Sequence, residues 1–393
     1  EKTISNYQQE FRKISLELIE IETAKDWTAF YLKMTYWEME LQTLEDSGML
    51  EIFEEQMKEA NHLFSKFIAQ NYKNWMMNDE GPTMSHQLFK ERLFPEILPG
   101  TKDTTLLLVI DNLRYDQWKM ICPVIENYFV TKDESTYFSL LPTATHYCRN
   151  ALFSGLTPLE MKDNHPDLWV NENEEGGKNL KESEFLQAQL TRLNKDIPFS
   201  YVKVTNLKAG KELHKYLQNY SKDRLLVVVY NFVDIISHAK TGMDIIKELA
   251  SDNKAFRSLT LSWFENSPLL DIIQKSQKLG FKLAITTDHG TINVDQATEI
   301  ISTKDAGTNL RYKTGRNVSH NSKDIIEVAN PKEFMLPAKH LNSKFIFAKG
   351  SQYFVFQNNF NHFATHFRNT FQHGGVSMEE MIVPFVVMTP RES

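Results

Sequence analysis

The sequence predicts an α/β protein in which helices flank a mostly parallel sheet and a small helical bundle precedes it. Residues 1–78 contain a single glycine, Gly48, and no proline. Their apolar residues recur every three or four positions, which is the spacing of amphipathic helices. From Thr105 onward, short β-branched runs alternate with helical stretches. That alternation is typical of parallel strands connected by helices.

The elements divide the chain into three predicted parts. Residues 1–80 are predicted to form a three-helix bundle whose aromatic and methionine side chains make up its core. Residues 81–100, with turn signals at Gly81-Pro82 and Leu98-Pro99-Gly100, are predicted to be a linker, and residues 101–393 the α/β domain. Strands are expected near residues 105–110, 225–230, 281–286, 344–348 and 352–356. Helices are expected near residues 115–127, 145–154, 181–194, 207–219 and 265–279.

Composition and charge limit the classes of function. The chain has 393 residues, of which 41% are hydrophobic and 24% charged, and this is ordinary for a globular protein. A formal net charge of −7 argues against broad coating of nucleic acid or of an anionic membrane. The two cysteines, Cys122 and Cys148, are expected to be buried free thiols in a reducing cytoplasm. No apolar run approaches membrane-spanning length, so a cytoplasmic protein is expected.

Metal-binding side chains follow several of the predicted strands. In an open α/β sheet, ligands bind beyond the carboxyl ends of the strands. Asp and His together suit a borderline cation such as zinc. The pattern therefore indicates a hydrolase with two metal ions. The candidate ligands are Asp111, Asp234, His238, Asp288, His289 and His373.

Each candidate also has a simpler interpretation when it is taken alone. Asp111 could cap the following helix. Asp234 and His238, four residues apart, could form a salt-bridged surface pair. Asp288 and His289 could both reach one ion only if the chain turns, which Gly290 would allow, and a simple Asx turn is the alternative.

The segment 141–155 contains the candidate nucleophile. Pro142 favours an extended entry into a helix that ends near Gly155, which places Thr145 at the helix N-terminus. Free N–H groups and the helix dipole favour a phosphate there. A metal-activated threonine hydroxyl could attack phosphorus directly. From the residues alone, Thr143 or Thr145 could equally be an ordinary N-cap.

These segments together resemble the alkaline phosphatase superfamily, and in particular its PglZ branch. The resemblance covers about residues 100–390. The segments that carry it are 109–114, 141–145, 154–158, 287–290 and 373–384.

The resemblance implies a fold, a metal centre and a reaction. It implies an alkaline-phosphatase-like sheet with two Zn²⁺ ions, or sometimes Mn²⁺. One metal site would consist of Asp234, His238 and His373, and the other of Asp111, Asp288, His289 and Thr145. The run Pro-Thr-Ala-Thr matches the nucleotide phosphodiesterase relatives, which makes Thr145 the nucleophile rather than Thr143. The substrate contacts would be Arg149, Asn150, Arg114 and His320.

The bundle ahead of the PglZ segments is similar to that of PorX-type response regulators, which control type IX secretion. In such proteins a receiver domain precedes the bundle, and phosphorylation promotes dimerisation. The resemblance therefore implies the output part of a regulator, with phosphodiesterase activity on nucleotides or cyclic oligonucleotides. One alternative is a regulatory module that binds a sigma factor or secretion component and in which the metals are mainly structural. Another is a phosphomonoesterase or sulfatase on the same scaffold.

Overall fold

The structure is a computed structural model that describes residues 2–44, 47–172, 174, 176–232 and 247–392. Within these ranges, no helix combines the length and the apolar character that crossing a lipid bilayer requires.

Three helices form the N-terminal bundle, as the sequence predicts. They are α1 (Lys2–Glu20), α2 (Ala24–Gln42) and α3 (Ser47–Asn78). The α2 helix begins with a capping box, in which Asp26 N donates to Thr23 Oγ1 and Thr23 N donates to Asp26 Oδ2, each over 3.2 Å. This pairing satisfies two backbone donors that the helix itself leaves free. The predicted apolar stripe of α2, including Trp27, Met34 and Leu41, is buried.

Strands and further helices follow along the chain. The strands are β1 (Thr105–Ile110), β2 (Phe129–Phe138), β3 (Phe199–Val204), β4 (Leu225–Tyr230), β5 (Lys282–Thr286), β6 (Ile292–Val294), β7 (Gln296–Ile301), β8 (Tyr312–Gly315), β9 (Ser319–His320), β10 (Ile326–Val328), β11 (Lys344–Phe347), β12 (Gln352–Phe356), β13 (Thr370–Gln372) and β14 (Ile382–Pro390). The helices are α4 (Tyr115–Ile125), α5 (Thr145–Ser154), α6 (Pro158–Asn164), α7 (Glu182–Arg192), α8 (Leu207–Tyr216), α9 (Asn253–Glu265), α10 (Pro268–Lys278), α11 (Phe360–Phe367) and α12 (Met378–Met381).

The central sheet is mostly parallel, which confirms the predicted fold class. Its strand order is β2-β14-β5-β1-β4-β3, and β14 runs antiparallel to both of its neighbours. Strands β5, β1 and β4 are adjacent and parallel. Every residue of β1 and β4 is buried, because both faces of a sheet of this kind are covered. The carboxyl ends of these three strands therefore meet at one edge.

The smaller sheets differ from the expectation. Strand β11 pairs with β10 and β8, and β12 pairs with β7 and β9, so neither belongs to the central sheet. Strands β2 and β14 had no predicted counterpart. Because β2 lies at the sheet edge, its middle residues are mostly exposed and polar, and the apolar run that would indicate a strand is missing.

The bundle and the sheet share one continuous hydrophobic core. Phe138 at the end of β2 contacts Phe64 and Trp75 of α3, with ring centroids 6.4 and 5.6 Å apart. Phe89 and Leu93, in the segment predicted to be a linker, are also buried in that core. The bundle is therefore packed against the part of the chain that carries the candidate ligands.

Candidate metal centre and nucleophile

Asp111 and Asp288 lie side by side at the ends of β1 and β5. Asn112 N donates to Asp288 Oδ1 over 3.0 Å, and Leu113 N donates to Thr287 Oγ1 over 2.9 Å. These bonds tie the two strand ends together. Asn112 has a φ of 63°, in the left-handed region that Asn tolerates better than most residues. Helix α4 begins only at Tyr115, after Arg114 at its N-cap position, so Asp111 does not cap it.

Two histidines present the same nitrogen toward this edge. His289 Nδ1 donates to Gly290 O and His373 Nδ1 donates to Thr143 O, both over 2.9 Å. Because a carbonyl can only accept, each Nδ1 carries a hydrogen, and in the neutral form of the ring each Nε2 is the nitrogen that could bind a metal ion. The two rings stack with centroids 4.1 Å apart. Burial, followed by the charge of His289, lowers the pKa of His373 to about 3, which keeps this imidazole neutral.

Thr145 is the first residue of α5 and faces both kinds of ligand. Its Oγ1 lies 3.5 Å from Asp111 Oδ1 and 3.3 Å from His289 Nε2. Ala144 occupies the N-cap position and makes no side-chain cap. Thr143 instead donates to Gly375 O and accepts from Gly374 N. Neither threonine is thus an ordinary N-cap, and of the two hydroxyl groups it is that of Thr145 that lies within hydrogen-bonding distance of Asp111 and His289.

The cluster fits a metal ion. Asp111, Asp288 and His289 each offer one ligand atom, and these atoms lie within 4.8 Å of one another. Asp288 Oδ2 is buried and has no hydrogen-bond partner among the described residues. Burial raises the pKa of Asp288, but His289, Arg149 and the Asn112 N–H outweigh it and lower the pKa to about 2. A buried, ionised oxygen without a hydrogen bond suits a cation, and mixed carboxylate and imidazole donors suit Zn²⁺ or Mn²⁺.

Arg149 lies one turn into α5 and also reaches the cluster. Its Nη1 is 3.4 Å from Asp111 Oδ1 and 3.3 Å from Asn231 Oδ1, and its Nε donates to Glu182 Oε1 over 2.7 Å. Glu182 is fully buried and accepts a further hydrogen bond from Tyr201. Sequence reasoning missed Glu182, since nothing near it in an ordinary amphipathic helix indicates such a partner.

The other predicted substrate contacts are engaged elsewhere. Asn150 Nδ2 donates to the backbone oxygens of His146 and Lys178, and His320 Nδ1 donates to Ser322 O. Arg114 binds Asp116, Asn253 and Thr291 O, as described below. Their binding of substrate stays a prediction. Asp234 and His238, predicted to share a metal site with His373, lie outside the described residues.

The position after His289 requires glycine because another backbone segment lies very close to it. A Cβ atom on Gly290 would lie 1.8 Å from Glu379 O. Gly290 N also donates to Glu380 O over 2.9 Å. Only glycine allows the two backbones to approach so closely, so this residue fixes the position of the His289 segment against helix α12.

A carboxylate and imidazole cluster at the carboxyl edge of a mostly parallel sheet, beside a helix that starts with threonine, defines an alkaline-phosphatase-like protein. Residues 88–388 match the family described as the BREX system PglZ alkaline phosphatase-like domain, and the chain therefore belongs to the PglZ family. Residues 1–76 match the PorX response regulator linker domain. Both resemblances predicted from the sequence are thereby confirmed.

Three solved structures of low sequence identity are similar to this chain. Murine ectonucleotide pyrophosphatase/phosphodiesterase 5 is 11% identical, with a TM-score of 0.50 over 73% of this chain and 88% of that chain. Phosphonoacetate hydrolase from Sinorhizobium meliloti 1021 is 10% identical, over 74% of this chain and 90% of that chain. Its TM-scores are 0.45 with phosphonoformate and 0.46 with phosphonoacetate. Comparison with curated proteins gave no match.

Proposed function

We propose that this chain is a metal-dependent phosphodiesterase that acts on nucleotides or on cyclic or linear oligonucleotides, with Thr145 as nucleophile. The observation that carries the proposal is the position of Thr145 Oγ1 between Asp111 Oδ1 and His289 Nε2, at 3.5 and 3.3 Å. The match of residues 1–76 to a response regulator linker supports a role as the output part of a regulator, in the control of type IX secretion.

Asp111, Asp288, His289 and Thr145 would hold one ion, and His373 with Asp234 and His238 the second. Bound zinc would lower the pKa of a hydroxyl and neutralise charge on the phosphate. The Thr145 oxygen forms a bond to phosphorus while the bond to the leaving alcohol breaks. Water then cleaves the threonyl phosphate and restores the hydroxyl.

The surrounding residues bind and orient the phosphate. Arg149, which Glu182 holds through a 2.7 Å bond, faces the cluster with a guanidinium that suits the unreacted phosphate oxygens. The N-terminus of α5 favours the same negative charge. Because the carboxylates of Asp111, Asp288 and Glu182 share the guanidinium of Arg149, metal binding would also help to balance the charge of the site.

Loss of the Thr145 hydroxyl tests the assignment. The zinc-loaded protein should hydrolyse bis-p-nitrophenyl phosphate, and Thr145→Ala should lower kcat by at least about a thousandfold while most of the zinc stays bound. Thr145→Ser keeps the hydroxyl and serves as the matched control, which should retain activity. Full diesterase activity of Thr145→Ala would show that the nucleophile is assigned wrongly. Hydrolysis of the monoester alone would indicate a phosphomonoesterase instead.

A further inference from the structure

Two side chains of the helical bundle connect through buried or partly buried hydrogen bonds to the segment that carries Asp288 and His289. They are Glu38 on α2 and Asn61 on α3. We propose that Glu38 and Asn61 are positioning residues, through which the bundle holds residues 287–291 in the geometry that binds the metal ion. The inference rests on the proposed metal-dependent function, because it assigns the bundle a part in the same site.

The connection from Glu38 runs through two arginines. Glu38 Oε2 accepts from Arg257 Nη1 over 3.1 Å, and the same Nη1 donates to Asp116 Oδ2 over 2.9 Å. Asp116 in turn accepts from Arg114 Nε and Nη2, over 2.9 and 3.2 Å. Arg114 Nη1 then donates to Thr291 O over 3.3 Å. The route therefore ends on the backbone two residues after His289.

A second link joins Glu38 to the same arginine. Glu38 Oε1 accepts from Asn253 Nδ2 over 2.8 Å, and Asn253 Oδ1 accepts from Arg114 Nη1 over 3.1 Å. Just before Arg114, Asn112 N and Leu113 N donate to Asp288 Oδ1 and Thr287 Oγ1. Arg114 is thus fixed from the bundle side, and the backbone leading to it holds the ligand Asp288.

The connection from Asn61 runs through α12. Asn61 Nδ2 donates to both carboxylate oxygens of Glu379, over 3.2 and 3.0 Å, and Asn61 Oδ1 accepts from Met378 N over 2.9 Å. The backbone of the same helix contacts Gly290: Glu379 O occupies the place that a Cβ atom would need, and Glu380 O accepts from Gly290 N. The Glu380 side chain also accepts from Gly375 N over 3.1 Å, close to His373.

The two routes meet on adjacent residues from different sides. One binds Thr291 O, and the other binds Gly290 N. Asn61, Arg114, Asp116 and Arg257 are all at most 4% exposed, so water does not readily replace the bonds among these residues, whereas the bonds of Glu38 are partly buried. Residues that hydrogen-bond directly to metal ligands commonly change metal affinity by about 10- to 100-fold when they are lost, so residues that act through intermediates are expected at the lower end of that range.

Hydrogen exchange and zinc affinity of the whole chain test the proposal. In Asn61→Ala and in Glu38→Gln, peptides covering residues 287–291 should exchange about tenfold faster or more in the metal-free protein. Peptides covering β3 should exchange as in the wild type. Competition with a zinc-binding dye should show zinc affinity reduced about tenfold or more. Matched controls on the same helices, Asn71→Ala and Glu40→Gln, should change neither quantity.

The measurements separate this proposal from the proposed function. Wild-type exchange at residues 287–291 in both variants would overturn the positioning role. If Asn61→Ala unfolds and exchanges quickly throughout, Glu38→Gln, which keeps the size of the side chain, decides. A wild-type protein that binds no zinc would overturn the proposed function, whereas the exchange rates would still establish or refute the contribution of the bundle.

Discussion

Two clusters of charged residues, one around Asp116 and one around Asp288, are built differently. Around Asp116, two carboxylates pair with two guanidinium groups: Asp116 binds both Arg114 and Arg257, and Glu38 binds Arg257. Both oxygens of Asp116 accept hydrogen bonds. Around Asp288, one guanidinium faces three carboxylates, and Asp288 Oδ2 accepts no hydrogen bond among the described residues.

This difference indicates which cluster stabilises the fold and which one binds a ligand. A buried ion pair with every hydrogen-bond partner in place needs no ligand to balance its charge, and the removal of one partner is costly. A buried cluster with excess negative charge, in which one carboxylate oxygen accepts no hydrogen bond, is costly unless a cation binds. The Asp116 cluster therefore holds the bundle against the α/β part, while the Asp288 cluster has the composition of a binding site.

The largest expected effect comes from the unbalanced cluster. Asp288→Asn should remove zinc binding and lower diesterase kcat by at least about a thousandfold, because the amide is a poor ligand for zinc. The variant should still fold, with a smaller loss of unfolding free energy than a change at Asp116. Metal content, turnover and chemical denaturation of the same preparation check this. Retention of zinc by Asp288→Asn would contradict the comparison.

The balanced cluster should show the opposite effect. Asp116→Asn leaves Arg114 and Arg257 buried beside a neutral amide, and such a loss typically costs about 3–5 kcal/mol of unfolding free energy. Urea denaturation of the metal-free protein measures it. Asp163→Asn, at an exposed position of α6, is the control and should unfold like the wild type. An Asp116→Asn protein with an unchanged midpoint would show that the cluster does not support the fold.

The parts of the fold that the sequence predicts are those with a local signal. Strands β1, β4 and β5 consist of apolar runs, and Asp111, Asp288 and Thr145 follow recognisable strand or helix boundaries. The edge strand β2 has no such run, because its exposed side chains are polar. A pattern of period two or 3.6 identifies burial, not the position of a strand within a sheet.

The residues that connect the bundle to the site could not be predicted. Asn61 and Glu379 are 318 positions apart, and Glu38 and Arg257 are 219 apart. Each is an ordinary polar residue in its own helix, and only the packing of the tertiary structure brings the partners together. The same holds for Gly290, whose role depends on the backbone of Glu379.

The smallest expected effect compares two buried carboxylates as pH changes. Burial raises the pKa of Asp116, but Arg114 and Arg257 outweigh it, so its pKa in the folded protein is lowered. Its contribution to stability is therefore present above the unfolded pKa of about 4 and is lost as the pH falls below it. Burial also raises the pKa of Glu379, and here Arg114 and Asn61 do not reverse the shift. Ionisation of Glu379 therefore opposes folding as the pH rises.

Glu379→Gln loses one acceptor of Asn61 at every pH, so the informative quantity is the change with pH. Its unfolding free energy relative to the wild type should be higher near pH 8 than near pH 4, by up to about 1 kcal/mol, because only the wild-type carboxyl ionises over that range. Asp116→Asn should be most harmful near pH 8 and lose part of its cost near pH 3. Urea denaturation of both variants and the wild type at several pH values measures the two trends. If the effects of the two variants on the unfolding free energy change with pH in the same direction, the two arginines beside Asp116 do not make its pH dependence differ from that of Glu379. If the two effects change with pH in opposite directions, the number of buried cations beside a carboxylate decides whether its ionisation stabilises the folded protein.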